Sequence, residues 1–325
     1  MRASLCGSAG ALCALLSGAS PAWAQSDYPR KAVTLVVPSA PGTGFDTLAR
    51  RLGQKLSEKW KQPMVVDNRP GASGNIGFSA VAKAPPDGYT LLVTGDIIIR
   101  NRSLYKNVPF DPIKDFSAVA PLAAGMMALV VHPSMNTPSV KSLIALLKDN
   151  PGKYNYASPG NGTPHHMAME LFKLATGVQL THVPYKTTGA LMPDLLSGQI
   201  GVMFLSLQVA LPLALGNKIN ILCAGGTRRA PATPNVPSLA EAAGIDNIDV
   251  DTWYAMYAPA NTPQTIVAKL NAELNLQLKE ADVRESLAQI GLVVTGGTPE
   301  ELAHMTRNDL ERWSRVVQEA NIAAD

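Results

Sequence analysis

Two short glycine-rich segments of this 325-residue chain have the residue types and spacing to hold an anion. The first is Pro38-Ser39-Ala40-Pro41-Gly42-Thr43-Gly44. The second, Ser158-Pro159-Gly160-Asn161-Gly162-Thr163, has the same grammar and adds two hydroxyls. Glycine lets a backbone turn sharply and come close to a ligand. Each segment runs from an apolar, strand-like stretch into a helical pattern. A helix start leaves about four N–H groups without intrahelical acceptors, and its dipole favours negative charge. Neither segment carries Lys or Arg, so backbone groups would do the holding. Neither is a nucleotide-phosphate cradle, since no Gly-Lys-Ser/Thr follows and neither reads Gly-x-Gly-x-x-Gly. Either segment alone also reads as a plain connection. Lying about 120 residues apart, together they suggest one anion loop in each of two lobes that face a common cleft.

Catalytic patterns do not accumulate. Ser103-Leu104-Tyr105-Lys106 matches Ser-x-x-Lys by letter, but no Ser-Asp-Asn accompanies it and Lys186-Thr187-Thr188-Gly189 is not Lys-Thr-Gly. No Gly-x-Ser-x-Gly elbow occurs. His166 and Glu170 share a helical face with His165 nearby, yet there is no His-Glu-x-x-His and His182 lacks ligand spacing. The sequence therefore predicts no catalytic residue, no metal site, no cofactor and no enzymatic activity. Cys223, inside Ile219-Asn220-Ile221-Leu222-Cys223-Ala224, reads as a small core residue.

The elements that must position the two loops follow from the apolar pattern. Residues 32–38 read as a strand. Residues 45–60 read as a helix, with Phe45, Leu48, Leu52, Leu56 and Trp60 at three- and four-residue spacing. Further strands are expected at 63–66, 89–94, 127–131, 154–157, 180–183, 201–204, 220–223 and 253–258. Helices are expected at 139–148, 165–175 and 191–196, with a small one ending near 83. The tail at 263–320 reads as mostly helical, broken at Gly291 and Gly296-Gly297. Strands alternating with helices of about ten residues imply βαβ units, an α/β fold and parallel-rich sheets. In such sheets ligands sit beyond the carboxyl ends of the strands, where both glycine segments lie.

Composition narrows the class. Hydrophobic residues are 46% and charged residues 16%, which suits a globular core and not a disordered chain. Net charge is +3 with no dense Lys/Arg run, so no nucleic-acid partner is expected. No apolar stretch reaches the roughly 18–20 residues of a membrane span. The first 24 residues read as a secretory leader: Arg2, an apolar run over 5–16, then Ala22-Trp23-Ala24 as the cleavage site. Cleavage there removes Cys6 and Cys13 and leaves Cys223 with no disulfide partner, as suits a periplasmic protein.

Ordered motifs along nearly all of the remaining chain resemble the Bug-type periplasmic solute-binding receptors of tripartite tricarboxylate transporters. They include Tyr28-Pro29-Arg30, Val36-Val37-Pro38 with Ala40-Pro41-Gly42, and Asn68-Arg69-Pro70-Gly71-Ala72 with Gly74-Asn75-Ile76-Gly77. Pro86-Asp87-Gly88-Tyr89-Thr90-Leu91-Leu92, Asn155-Tyr156-Ala157-Ser158 and His182-Val183-Pro184-Tyr185-Lys186 follow, with Trp313 near the end. The resemblance implies a two-lobed periplasmic binding protein, type II-like, that closes on a small carboxylate. Its partner would be an inner-membrane permease, and a monomer is expected. A periplasmic sensing module serving a membrane kinase is the alternative function. Lobe one would take residues 25–124 and 258–325, and lobe two 125–257.

By position in the family motifs, the ligand would meet Thr43, Gly44 and Asp46 in the first loop. In the second it would meet Ser158, Gly160, Gly162, Thr163 and His166. Thr94, Gly95 and Asp96 would form another cleft edge, and Phe204, Leu205 and Ser206 the far side. The family's usual mode uses backbone donors and ordered waters, with no arginine clamp. Asp46 reads equally well as a helix cap, and His166 as a packed or capping histidine. Leu205, where relatives often carry Asp, and the run Ile97-Ile98-Ile99 favour an aromatic or apolar acid over an acidic amino acid. Arg100 either reaches the cleft and pairs with a second carboxylate or is solvated on the lobe surface.

Overall fold

The computed structural model describes residues 28–105, 107–246 and 248–322. The leader expected at residues 1–24, Gln25 and Lys106 lie outside the described residues.

In chain order the first segment holds β1 (Val33–Val37), α1 (Gly44–Trp60), β2 (Met64–Asn68), α2 (Asn75–Ala82), β3 (Thr90–Gly95), α3 (Ile97–Leu104) and β4 (Phe116–Gly125). The middle segment holds β5 (Met127–Val131), α4 (Val140–Asp149), β6 (Asn155–Ser158), α5 (Pro164–Thr176), β7 (Thr181–Pro184), α6 (Thr188–Ser197), β8 (Val202–Ser206), α7 (Leu207–Leu215), β9 (Asn220–Ala224) and α8 (Leu239–Ala243). The chain then returns through β10 (Thr252–Pro259), α9 (Gln264–Gln277), α10 (Ala281–Gln289), β11 (Leu292–Val294) and α11 (Pro299–Glu319).

These strands form two sheets. One has six strands in the order β11-β4-β10-β3-β1-β2, the other five in the order β7-β6-β8-β5-β9. The α/β two-lobed class stands, but the sheets are mixed and not parallel-rich. The βαβ units pair in parallel, as at β1–β2, β1–β3, β6–β7 and β6–β8. The strands next to the crossings, β4, β5 and β10, pair antiparallel with their neighbours. The sequence division ends lobe two at Tyr257. All of β10 pairs with β4 in the six-stranded sheet, so that sheet already claims the chain from Thr252.

Helices cover both faces of each sheet. Alternation along β1 sends Val33, Leu35 and Val37 to one core with Leu48, Leu52 and Leu56 of α1, and Val36 to the opposite core with Phe78, Ile98 and Trp313. Burial of α1's apolar face against this sheet sets the direction in which its N-terminus points. The five-stranded sheet repeats the plan, with Leu129, Phe172 and Phe204 on one face and Val130, Leu191 and Leu205 on the other. Met167 of α5 belongs to the cluster of Ile98, Ile99 and Trp313, so the apolar core runs from one half into the other.

Candidate functional site

The first glycine segment is fixed by its own side chains. Gly42 has φ +81°, a left-handed conformation that L side chains rarely adopt, so the backbone itself asks for glycine. Thr43 caps α1, its Oγ1 accepting from the Asp46 N–H at 3.4 Å and donating to the Ala40 carbonyl at 3.1 Å. The Asp46 carboxylate reaches back to the Gly42 N–H at 2.8 Å. It also accepts from Asn68 Nδ2 at 3.0 Å and Arg50 Nε at 3.1 Å. Burial pushes the Asp46 carboxyl up, but the bonds from Arg50, Gly42 and Asn68 outweigh it and hold it below the usual range.

The second segment repeats this geometry with a different side chain. Thr163 caps α5 and accepts from the His166 N–H at 3.5 Å, while its Oγ1 donates to the Gly160 carbonyl at 2.7 Å. His166 Nδ1 accepts the Gly162 N–H at 3.0 Å, as Asp46 accepts that of Gly42. That bond places the imidazole proton on Nε2. Burial, then His182 and Lys173, push the His166 ring down to about 3, so it is neutral at pH 7. The rings of Tyr156, His182 and His166 stack beneath the loop, with 4.0 Å between the histidine centroids. Ser158 Oγ lies 2.7 Å from His182 Nε2 and accepts from the Gly160 N–H at 3.1 Å. A Cβ on Gly162 would stand 2.5 Å from Leu104 Cδ1 of α3, across the cleft.

Between the halves lies a cavity of about 220 Å³ lined by the first turns of four helices. Phe45 comes from α1, and Pro164 and His165 from α5. Asp96, the cap of α3, comes with Ile97, and Ser206, the cap of α7, with Gln208. Four helix starts aimed at one small volume concentrate unpaired N–H groups and positive dipole ends, which suits an anion. Trp253 and Tyr254 of β10 form the apolar wall. Larger hollows elsewhere lack this convergence, and two of them lie beside the same segments. One of about 890 Å³ is lined by Asp249, Asp251 and Glu301. The other, an apolar groove of about 480 Å³, shares Met126, Gln208 and Leu292 with the cavity.

Arg100, one helical turn from Asp96, lines the same cavity and is 2% exposed. Its Nη1 donates to Asp96 Oδ2, and its Nε has no hydrogen-bond partner among the described residues. Burial pushes the Asp96 carboxyl up to about 6; Arg100 opposes that shift and Asp309 adds to it. From the other half comes His165, whose shielded Nδ1 also lacks a partner. Burial, then Arg100, push its ring down to about 4.

The structure thus sorts the expected site residues. Asp96 and Ser206 line the cavity. Thr43, Asp46, Ser158, Gly160, Gly162, Thr163 and His166 build the two loops behind it, and much of their hydrogen bonding shapes those loops. Gly44 opens α1 beside the Tyr254 hydroxyl. Thr94 and Gly95 belong to β3, where a Cβ on Gly95 would meet the Trp253 carbonyl at 2.2 Å. Phe204 and Leu205 do not form the far wall: both are 0% exposed, in the cores on opposite faces of their sheet. Ile98 and Ile99 are equally buried, so of the apolar features argued for an aromatic ligand only Ile97 remains in the cavity. Arg100 is not solvated, and an arginine stands where the resemblance implied none. Phe45, His165, Gln208, Trp253 and Tyr254 escaped the sequence reading. For His165 a signal existed, since it stands two residues past the Thr163 cap, in the first turn of α5.

Comparison with known proteins follows the same line. Residues 48–322 match the family described as tripartite tricarboxylate transporter family receptor. Protein BugT of Bordetella pertussis is 32% identical over 294 residues, 90% of this chain and 90% of that protein. An R. palustris protein solved with adipate is 35% identical with a TM-score of 0.75, over 91% of this chain and 99% of that one. MatC from Rhodopseudomonas palustris, solved with bound malate, is 30% identical with a TM-score of 0.71, over 89% of this chain and 100% of that one.

Proposed function

The chain belongs to the tripartite tricarboxylate transporter receptor family, and from that premise we propose that it captures a small carboxylate in the periplasm for an inner-membrane permease of that transporter class. One observation carries the reading: the first turns of four helices, drawn from both halves, converge on one cavity of about 220 Å³. That volume falls below the roughly 300–1,000 Å³ of drug-sized sites, so the ligand is small. The walls of Phe45, Ile97, Trp253 and Tyr254 suit an apolar body between polar ends. A ligand ammonium would face helix N-termini, and the one carboxylate in the lining, Asp96, is already paired with Arg100, so acidic amino acids should bind more weakly than amine-free acids. The similar proteins solved with adipate and malate support this class. We place one binding lobe in the six-stranded half, through Gly125 and again from Thr252, and the other in the segment between.

The test is a calorimetric panel of succinate, malate, adipate, citrate, benzoate, terephthalate, glutamate and aspartate. A ligand at 100 times its dissociation constant should add about 2.7 kcal/mol of stability. Saturable binding of at least one amine-free acid is the expected result. No binding by any acid would overturn the proposal, and preference for glutamate or aspartate would overturn the ammonium argument.

A further inference from the structure

Two residues that line the cavity each keep one shielded polar atom outside the protein's own hydrogen bonds: Arg100, its Nε, from one half and His165, its Nδ1, from the other. Other buried side-chain atoms among the described residues lack partners too, Arg51 Nε and Arg312 Nε among them, but these two belong to residues that face each other across a ligand cavity, and that placement points to a group the ligand brings. Arg100 meanwhile already has an anion, the Asp96 carboxylate, so guanidinium and carboxylate neutralise each other inside the site. An Arg–Asp pair facing a cavity for anions is an odd arrangement unless the pair opens.

We propose that Asp96 and Arg100 form an internal counter-ion lock: a second acidic group on the ligand takes over Arg100, with His165 opposite, and the displaced Asp96 carboxyl takes up one proton from solvent. The proposal rests on the carboxylate-receptor reading and assigns the selectivity of that site to three residues.

The charges around Asp96 support it. On α11, Asp309 accepts from Trp253 Nε1 at 2.5 Å and pairs with Arg312 at 2.9 Å, so Arg312 is engaged there. Tyr254 of β10 stays protonated, burial pushing its phenol up to about 12. His165 of α5 stays neutral. Arg100 is therefore the cation free to be shared, and two carboxylates against it in a buried volume repel until one is protonated. The free protein stands near that point, with Asp96 already raised to about 6. The sign follows. Above about pH 6 the free protein holds Asp96 ionised while the complex holds it protonated, so binding tightens as pH falls. One proton corresponds to about tenfold in affinity per pH unit. Below about pH 6 the free protein is protonated too and the dependence fades.

The experiment is calorimetric titration of the purified protein at pH 7.5 in two buffers with different heats of ionisation. The probes are succinate, adipate and terephthalate, with hexanoate and benzoate as one-carboxylate counterparts. A dicarboxylate that binds should take up close to one proton, and its Kd should fall about tenfold from pH 8 to pH 7. A monocarboxylate should take up none. In Asp96→Asn the diacid should still bind, with no uptake and a flat pH profile. Should that variant fail to fold, the two-buffer measurement on the unchanged protein decides alone. A diacid that binds without proton uptake, or binding by monocarboxylates only, would overturn the lock while leaving the carboxylate receptor standing. Binding by none of the acids, here or in the wider panel, would overturn the receptor reading itself.

Discussion

Asp46 and His166 occupy the same place in two loops, three residues past a threonine cap, and each accepts the N–H of a left-handed glycine. The chemistry differs, and so does the response to pH. Asp46 is held below its unfolded value, so its contribution is complete at neutral pH and is lost as pH falls through the acid range. Asp46→Asn should cost about 1–2 kcal/mol at pH 7, as expected for a buried charge-assisted hydrogen bond. The gap from the unchanged protein should narrow in urea melts as pH falls through and below the ordinary carboxylate range. His166 stays neutral in the fold down to about pH 3, whereas the unfolded chain takes up a proton near 6.5. Its burial therefore costs stability progressively as pH falls below 6.5 and costs nothing above it. His166→Gln keeps an acceptor and removes the titration. The stability difference between the two proteins, measured at pH 7 and pH 4.5, should shift in favour of the variant at the lower pH. Sequence reading reached both residues and left cap against ligand open at each; the hydrogen bonds assign both to shaping the loops.

At the scale of elements, the two loops and most strands were legible, because glycine pairs and apolar runs are local signals. Among the described residues α3, β4, α7, α8 and β11 were not, and the first two show why. The run Ile97-Ile98-Ile99 argues against a helix, since branching at Cβ costs rotamer freedom there. Burial of Ile98 and Ile99 beneath α11 overrides that preference and makes α3. Only as a helix does the segment bring Arg100 back to Asp96, so missing the helix hid the ion pair. The strand β4, Phe-Ser-Ala-Val-Ala-Pro-Leu-Ala-Ala-Gly, is poor in strand-forming residues and is held by neighbours on both sides. The second loop gives the sharpest test at this scale. Gly162→Val adds bulk at φ +71° and against Leu104 of the opposite half. It should weaken ligand binding at least tenfold while circular dichroism stays unchanged. Gly42→Ala meets no atom within 4 Å and should show only backbone strain, about 1 kcal/mol in a thermal melt.

Across the whole molecule the halves are joined by more than the two strand crossings. Asp251, just before β10, accepts the N–H of Met127 at 2.9 Å and of Gly226 at 3.0 Å, tying the outgoing and returning chain together. Asp251→Ala should leave both amides unpaired, cost about 1–3 kcal/mol, and speed deuterium exchange at Met127 and Gly226. A deeper tie is Met167, an α5 side chain that sits in the core of the other half. Its consequence is kinetic. If the halves part to admit a solute, Met167 has to leave that core, which predicts that capture is gated by a step that does not involve the solute. Trp253 lines the cavity and offers a built-in fluorescent signal for arrival. In stopped-flow mixing, the observed rate should climb with ligand concentration and then level off at the opening rate, and Met167→Ala should raise that plateau. A rate that stays linear to the highest concentration would mean that the core contact opens faster than the solute can arrive.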